Sequence, residues 1–125
     1  MSGESCRSGL GNLWPGQRLE LGKKCYTEKI IIHEFIHAIG FTHEQSRFDR
    51  DSYVTINWEN VKGGKNNTNF RKVKKNWLTF NTTYDGKSVM HYPANLSSSN
   101  GKNTMISKVC LFYWDFSQLS DFFES

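Results

Sequence analysis

Three of the four histidines in the chain lie in one short run, His33-Glu34-Phe35-Ile36-His37-Ala38-Ile39-Gly40-Phe41-Thr42-His43. At about 100° per residue, His33 and His37 stand one helical turn apart and about 40° from each other in projection. A helix therefore turns both imidazoles toward one point. The surrounding residues favour such a helix. Thr27 precedes Glu28 and an apolar-rich stretch through Ile30, Ile31, Ile32, Phe35, Ile36, Ala38 and Ile39 to Gly40. Thr27 is the expected N-cap, Glu28 favours the dipole in the first turn, and Gly40 is the expected left-handed residue at the C-terminus. The helix is apolar nearly all round, which predicts a central, buried position.

The same run carries chemistry. Glycine at position 40 takes a positive φ without a Cβ penalty, so the chain can swing back and supply His43 as a third nitrogen. Three neutral imidazoles leave one coordination position of Zn²⁺ open, as a catalytic rather than structural zinc requires. Water bound there has its pKa lowered toward 7, and Glu34 is placed to take its proton and return it to a leaving amine. Three histidines, a glutamate and a glycine at these offsets arise by chance in roughly one of 10⁴ to 10⁵ chains of this size. Fortuitous core histidines are therefore the poorer reading. The fourth histidine lies in Ser88-Val89-Met90-His91-Tyr92. A methionine in a tight turn beneath a zinc site gives a polarizable apolar floor, and a nearby tyrosine can bring its phenol toward the metal.

The 125 residues make one domain or less, and 37% hydrophobic with 14% aromatic residues is enough for a packed core. The apolar runs Ile30-Ile31-Ile32 and Val109 to Trp114 fall far short of the roughly 20 residues of a membrane span, so no transmembrane segment is expected. The net charge of +4 is partly concentrated in Arg71-Lys72-Val73-Lys74-Lys75. No nucleic-acid motif accompanies that stretch, which reads as a solvated face and predicts no nucleic-acid partner. Further elements are a glycine-rich extended stretch from Cys6, a turn at Pro15-Gly16, and short strands at Arg18-Leu19-Glu20-Leu21 and Tyr53-Val54-Thr55-Ile56-Asn57. Loops around one short helix or none are expected from Lys62 to Lys75, and a Ser/Asn/Gly/Lys linker from Ser97 to Asn103.

Three cysteines form one pair and a spare thiol in an oxidising compartment, or stay reduced in a cytosolic one. Cys6 and Cys25 are close enough in sequence to clip one segment, a closure that adds about 3 kcal/mol in the chain-entropy model. The first residues lack the charged and apolar regions of a secretory signal. Three sequons, at Asn66, Asn81 and Asn95, point instead to an extracellular history and glycosylation.

Taken together, the two histidine-bearing stretches resemble the metzincin zinc peptidases, and specifically the astacin family. The matching text runs from Ile32-His33-Glu34 through His43-Glu44-Gln45-Ser46-Arg47, then from Asp49 to Val61, then Ser88-Val89-Met90-His91-Tyr92-Pro93. The resemblance implies an α+β, zincin-like fold with a central zinc-binding helix, and a secreted endopeptidase acting on proteins or peptides. It implies one catalytic zinc held by His33, His37 and His43, with Glu34 as general base and acid. Tyr92 would be a further metal ligand that can leave and hydrogen-bond the tetrahedral intermediate, and Met90 the Met-turn residue. It further implies a Cys6–Cys25 disulfide, a substrate-pairing edge strand near Arg7 to Gly11, and an association of Glu44 with the N-terminus of the mature enzyme. Residues 1–125 are expected to be a partial peptidase domain. The best match is about 6–95, the N-terminal strands and helix are missing, and residues 108–125 form a divergent tail in which Cys110 has no evident partner. The alternative expectation is a truncated, non-catalytic zinc-binding or interaction fragment.

Overall fold

The computed structural model describes residues 5–12, 15–75 and 79–109. The chain forms two compact units, Met1–Thr42 and His43–Ser125. In the first, strands β1 (Cys6–Ser8) and β2 (Leu19–Leu21) pair antiparallel with Arg7 opposite Glu20. Bonds from Gly9 N to Arg18 O (3.2 Å) and from Gly22 N to Ser5 O (3.1 Å) extend the ribbon at both ends. A 3-10 turn at Lys23–Cys25 brings Cys25 back onto β1, where it forms a disulfide with Cys6, Cα to Cα 5.7 Å. The expected pairing is therefore present, and Cys110 lies outside the described residues with most of the expected tail.

Helix α1 (Glu28–Ala38) begins as its sequence predicts. Thr27 is extended at φ −98° and its Oγ1 accepts the Ile30 amide at 3.4 Å, satisfying one of the first-turn donors. The helix stops at Gly40, whose φ is +108°, with Gly40 N bonded to His37 O (2.9 Å) and Phe41 N to Ile36 O (3.1 Å). Its last carbonyls also receive donors from the segment between the strands. Gly11 N reaches His37 O at 3.0 Å, and Gln17 Nε2 reaches both Ala38 O (3.2 Å) and Gly9 O (2.7 Å).

The helix departs from expectation in its burial. Ile30, His33 and Glu34 are buried, whereas Ile32 (43%), Phe35 (53%) and Ile39 (72%) are exposed. The physical reason is the size of the cover. Two strands of three residues each shield one face of an eleven-residue helix, and no further layer covers the opposite face among the described residues.

In the second unit, β3 (Val54–Ile56) pairs antiparallel with β4 (Met105–Ser107), Thr55 opposite Ile106. Val54 and Ile56 point inward and Thr55 outward, the period-2 alternation that made β3 legible. With Val61, Phe70, Tyr84 and Met105 they form the core, and Tyr53, Trp58 and Tyr92 pack against it. Residues 62–75 contain two 3-10 turns, Gly64–Asn66 and Thr68–Phe70, and the basic run has exposed Arg71, Lys72, Lys74 and Lys75 as expected.

The segment from Ser97 to Asn103 is not a linker. Asn60 holds it by three contacts of 2.8 Å: its Nδ2 donates to Asn103 O, its Oδ1 accepts from Asn100 Nδ2, and its carbonyl accepts Ser99 N–H. Its polar side chains satisfy backbone groups locally instead of leaving them to water. The segment thus delivers β4, which has no signal of its own in the sequence.

Arg50 is the buried cation that ties this unit together. Its side chain is 5% exposed and its Nη1 donates to Gln45 O (3.0 Å) and Phe70 O (2.7 Å). Replacing it with methionine keeps the bulk but leaves two buried carbonyls without that donor. We expect Arg50→Met to lose about 2–4 kcal/mol of stability, read from urea unfolding by tryptophan fluorescence. A loss below about 0.5 kcal/mol would assign the guanidinium no structural role.

Candidate active site

The helix places two imidazoles one turn apart. The His33 and His37 rings stand 4.6 Å centroid to centroid and nearly perpendicular, at 88°. His37 Nδ1 lies 2.8 Å from the Phe41 carbonyl, a group that only accepts. The proton therefore sits on Nδ1, and Nε2 is the ring nitrogen that carries the lone pair. The positive φ of Gly40 positions that carbonyl. A Cβ built at Gly40 would meet Gly11 Cα at an ordinary 3.8 Å, so conformation and not space demands glycine there. Burial pushes the His37 pKa down, against the opposing effect of the Phe41 carbonyl, and so favours the neutral ring that coordination needs.

Within the run 33–43, one ligand nitrogen from each of His33, His37 and His43 lies within 4.8 Å of the others. Three imidazole nitrogens at this spacing suit a single Zn²⁺ with a coordination position left open.

Glu34 follows His33 on the helix and is 5% exposed. Burial pushes its carboxyl above the ordinary glutamate value, and an amide N–H from Ser8, on β1, pulls the other way. Its Oε2 is buried with no hydrogen-bond partner among the described residues. A buried carboxylate oxygen in that condition calls for a donor.

The second histidine-bearing stretch forms a tight turn. His91 N bonds to Ser88 O (2.9 Å) and Met90 N to Ser88 Oγ (3.1 Å), while the Met90 carbonyl receives the Glu44 amide at 3.0 Å. Met90 is buried. Tyr92 is half-buried and its ring lies 4.2 Å from that of His43, tilted by 47°. Glu44 Oε1 accepts from Asp85 N (2.8 Å) and Arg47 Nη1 (3.1 Å).

Three groups around these residues escaped the sequence reading. Gln45 Oε1 accepts the Tyr92 amide at 3.1 Å, and His91 bridges Tyr84 and the Tyr92 carbonyl, each at 2.7 Å. The Ser8 amide at Glu34 is the third. No pattern of spacing announces a backbone donor or a single buried amide. Only the proximity of Gln45 to His43 and of His91 to Tyr92 was available as a signal.

Comparison with known proteins agrees with this geometry. The family model described as Astacin, a peptidase family, matches residues 1–121. The zinc metalloproteinase nas-13 of Caenorhabditis elegans is 47% identical over 103 residues, which are 82% of this chain and 23% of that protein. The rat (Rattus norvegicus) meprin A subunit beta is 39% identical over 122 residues, 96% of this chain and 17% of that protein. This chain thus spans less than a quarter of either relative. Among solved structures, high choriolytic enzyme 1, a hatching enzyme zinc-protease from the medaka fish Oryzias latipes, superposes with a TM-score of 0.78. It is 35% identical, and the match covers 97% of this chain and 65% of that one. A family model matched over nearly the whole chain, on a fold that carries three histidines, a buried glutamate and a methionine turn, places this protein in the astacin family of zinc peptidases.

Proposed function

We propose that the chain is the zinc-binding portion of a metalloendopeptidase that hydrolyses peptide bonds in proteins. The observation that carries the reading is the buried Oε2 of Glu34, left without a partner on the helix that bears His33 and His37. In this reading, His33, His37 and His43 hold one Zn²⁺, with Tyr92 as a further ligand able to leave it. When bound, the ion supplies Lewis acidity for activating water and polarising the scissile carbonyl.

The remaining work falls to the chain's own residues. The Ser8 amide favours the charged form of the Glu34 carboxylate. The free oxygen takes a proton from the attacking water and later delivers it to the leaving amine. The phenol of Tyr92 donates to the oxyanion as the tetrahedral intermediate forms, a contact stronger in the transition state than in the ground state. The edge of β1 offers main-chain groups to an extended peptide.

Residues 1–125 would then be a partial peptidase domain. The Cys6–Cys25 disulfide and the exposure of Asn66, Asn81 and Asn95 support a secreted, glycosylated protein. No described helix is long and apolar enough to cross a membrane. A non-catalytic zinc-binding fragment is the second reading, and it is favoured by the exposed apolar face of α1 at Ile32, Phe35 and Ile39.

Two variants separate the roles. Glu34→Gln is expected to keep zinc while turnover of a fluorogenic peptide falls by on the order of 10²-fold or more, and retained turnover would remove Glu34 as the base. Tyr92→Phe is expected to lower kcat by on the order of 10²-fold with a far smaller change in zinc affinity. Parallel losses of metal and turnover would restrict Tyr92 to holding the ion.

A further inference from the structure

We propose that His91 is a positioning residue that fixes the peptide of Tyr92, and through it the direction of the Tyr92 phenol beside His43. The inference rests on the peptidase reading only in taking that phenol to act at the reacting carbonyl.

The argument begins with burial. His91 is 1% exposed, and both of its ring nitrogens face polar partners: Nδ1 lies 2.7 Å from the Tyr92 carbonyl, and Nε2 lies 2.7 Å from the Tyr84 hydroxyl. A carbonyl only accepts, so Nδ1 carries the proton and donates it, while Nε2 accepts from the Tyr84 O–H. The two partners thereby select one neutral tautomer.

Tyr84 is a firm anchor. It belongs to the hydrophobic core, stacks on Tyr53 at 4.8 Å and 8°, and has the Arg47 guanidinium 5.7 Å from its ring centroid. His91 transmits that rigidity to the carbonyl of Tyr92, while the amide of Tyr92 is held from the other side by Gln45, itself fully buried. Both peptide groups flanking the Tyr92 Cα are thus restrained, and the ring pivots from a fixed point to meet His43 at 4.2 Å. Releasing the carbonyl loosens ψ at Tyr92 within the extended range that Pro93 allows, and spreads the positions of the phenol oxygen. A misplacement of about 1 Å is enough to cost on the order of 10²-fold in rate.

The two nitrogens can be separated by amide substitution. Asparagine places its Nδ2 near the histidine Nδ1 and keeps the bond to the Tyr92 carbonyl. Glutamine places its amide near Nε2 and keeps only the Tyr84 side. His91→Gln is expected to lower kcat by about tenfold or more with KM within about twofold, and His91→Asn to rescue most of that loss. In a Tyr92→Phe background His91→Gln is expected to cost nothing further. Losses that track stability alike in both variants, or an undiminished cost in the Tyr92→Phe background, would overturn the proposal.

A second arm needs neither metal nor turnover. In the metal-free chain, nuclear Overhauser contacts between the Tyr92 and His43 rings are expected to persist in His91→Asn and to vanish in His91→Gln. The ¹⁵N shifts of wild-type His91 are expected to place its proton on Nδ1. A proton on Nε2, or unchanged ring contacts in His91→Gln, would overturn the positioning role without any variant having to be active. A wild-type chain that cuts no peptide but gives the expected ring contacts and tautomer would remove the peptidase reading and leave the role of His91 standing.

Discussion

The positive φ at Gly40 is the constraint on which the site depends. A helix by itself can aim His33 and His37 at one point, because one turn separates them. It cannot supply a third ligand at the same height without a break, and a break in the middle of an apolar helix leaves carbonyls unpaired. Here the break is satisfied on the spot. The amides of Gly40 and Phe41 close back on His37 and Ile36, Gly11 adds a second donor to His37 O, and the Phe41 carbonyl returns to fix the tautomer of His37. The helix stop, the ligand orientation and the placement of His43 in the same run are consequences of one backbone conformation.

The second unit relies on buried polar side chains more than on layers of secondary structure. Its two named strands have three residues each. Arg50 serves the carbonyls of Gln45 and Phe70, Arg47 bridges Glu44 and Asp49 and reaches Thr82 O and Thr83 O, and Asn60 holds the turn that feeds β4. Long-range side chain to backbone bonds of this kind specify one arrangement because each partner left unpaired carries a desolvation cost of about 1–3 kcal/mol. They suit a unit that must hold Met90, His91 and Tyr92 in a defined turn next to the segment that begins at His43.

The sequence reveals what is local. Thr27, the apolar run and Gly40 mark both ends of α1, and alternation marks β2 and β3, because caps and periodicity are decided within a few residues. The histidine spacing reads directly as a metal site for the same reason. Burial of α1 is misread because an all-round apolar helix predicts cover on every side, while Ile32, Phe35 and Ile39 find none among the described residues. The turn from Ser97 to Asn103 is misread because its composition is that of a linker and its restraint comes from Asn60, far away in sequence. The bridging role of His91 is invisible for a related reason. Its meaning depends on Tyr84 being core-anchored, which no residue pattern between positions 84 and 91 encodes.

The most direct test of the zinc peptidase assignment is to measure metal content and peptide hydrolysis together on the purified 125-residue chain, before and after chelation and zinc restoration. The expected result is about one zinc per chain, with cleavage that a chelator removes and added zinc restores. Bound zinc without cleavage would contradict the catalytic reading in favour of a non-catalytic fragment. No bound zinc would contradict the metal site itself.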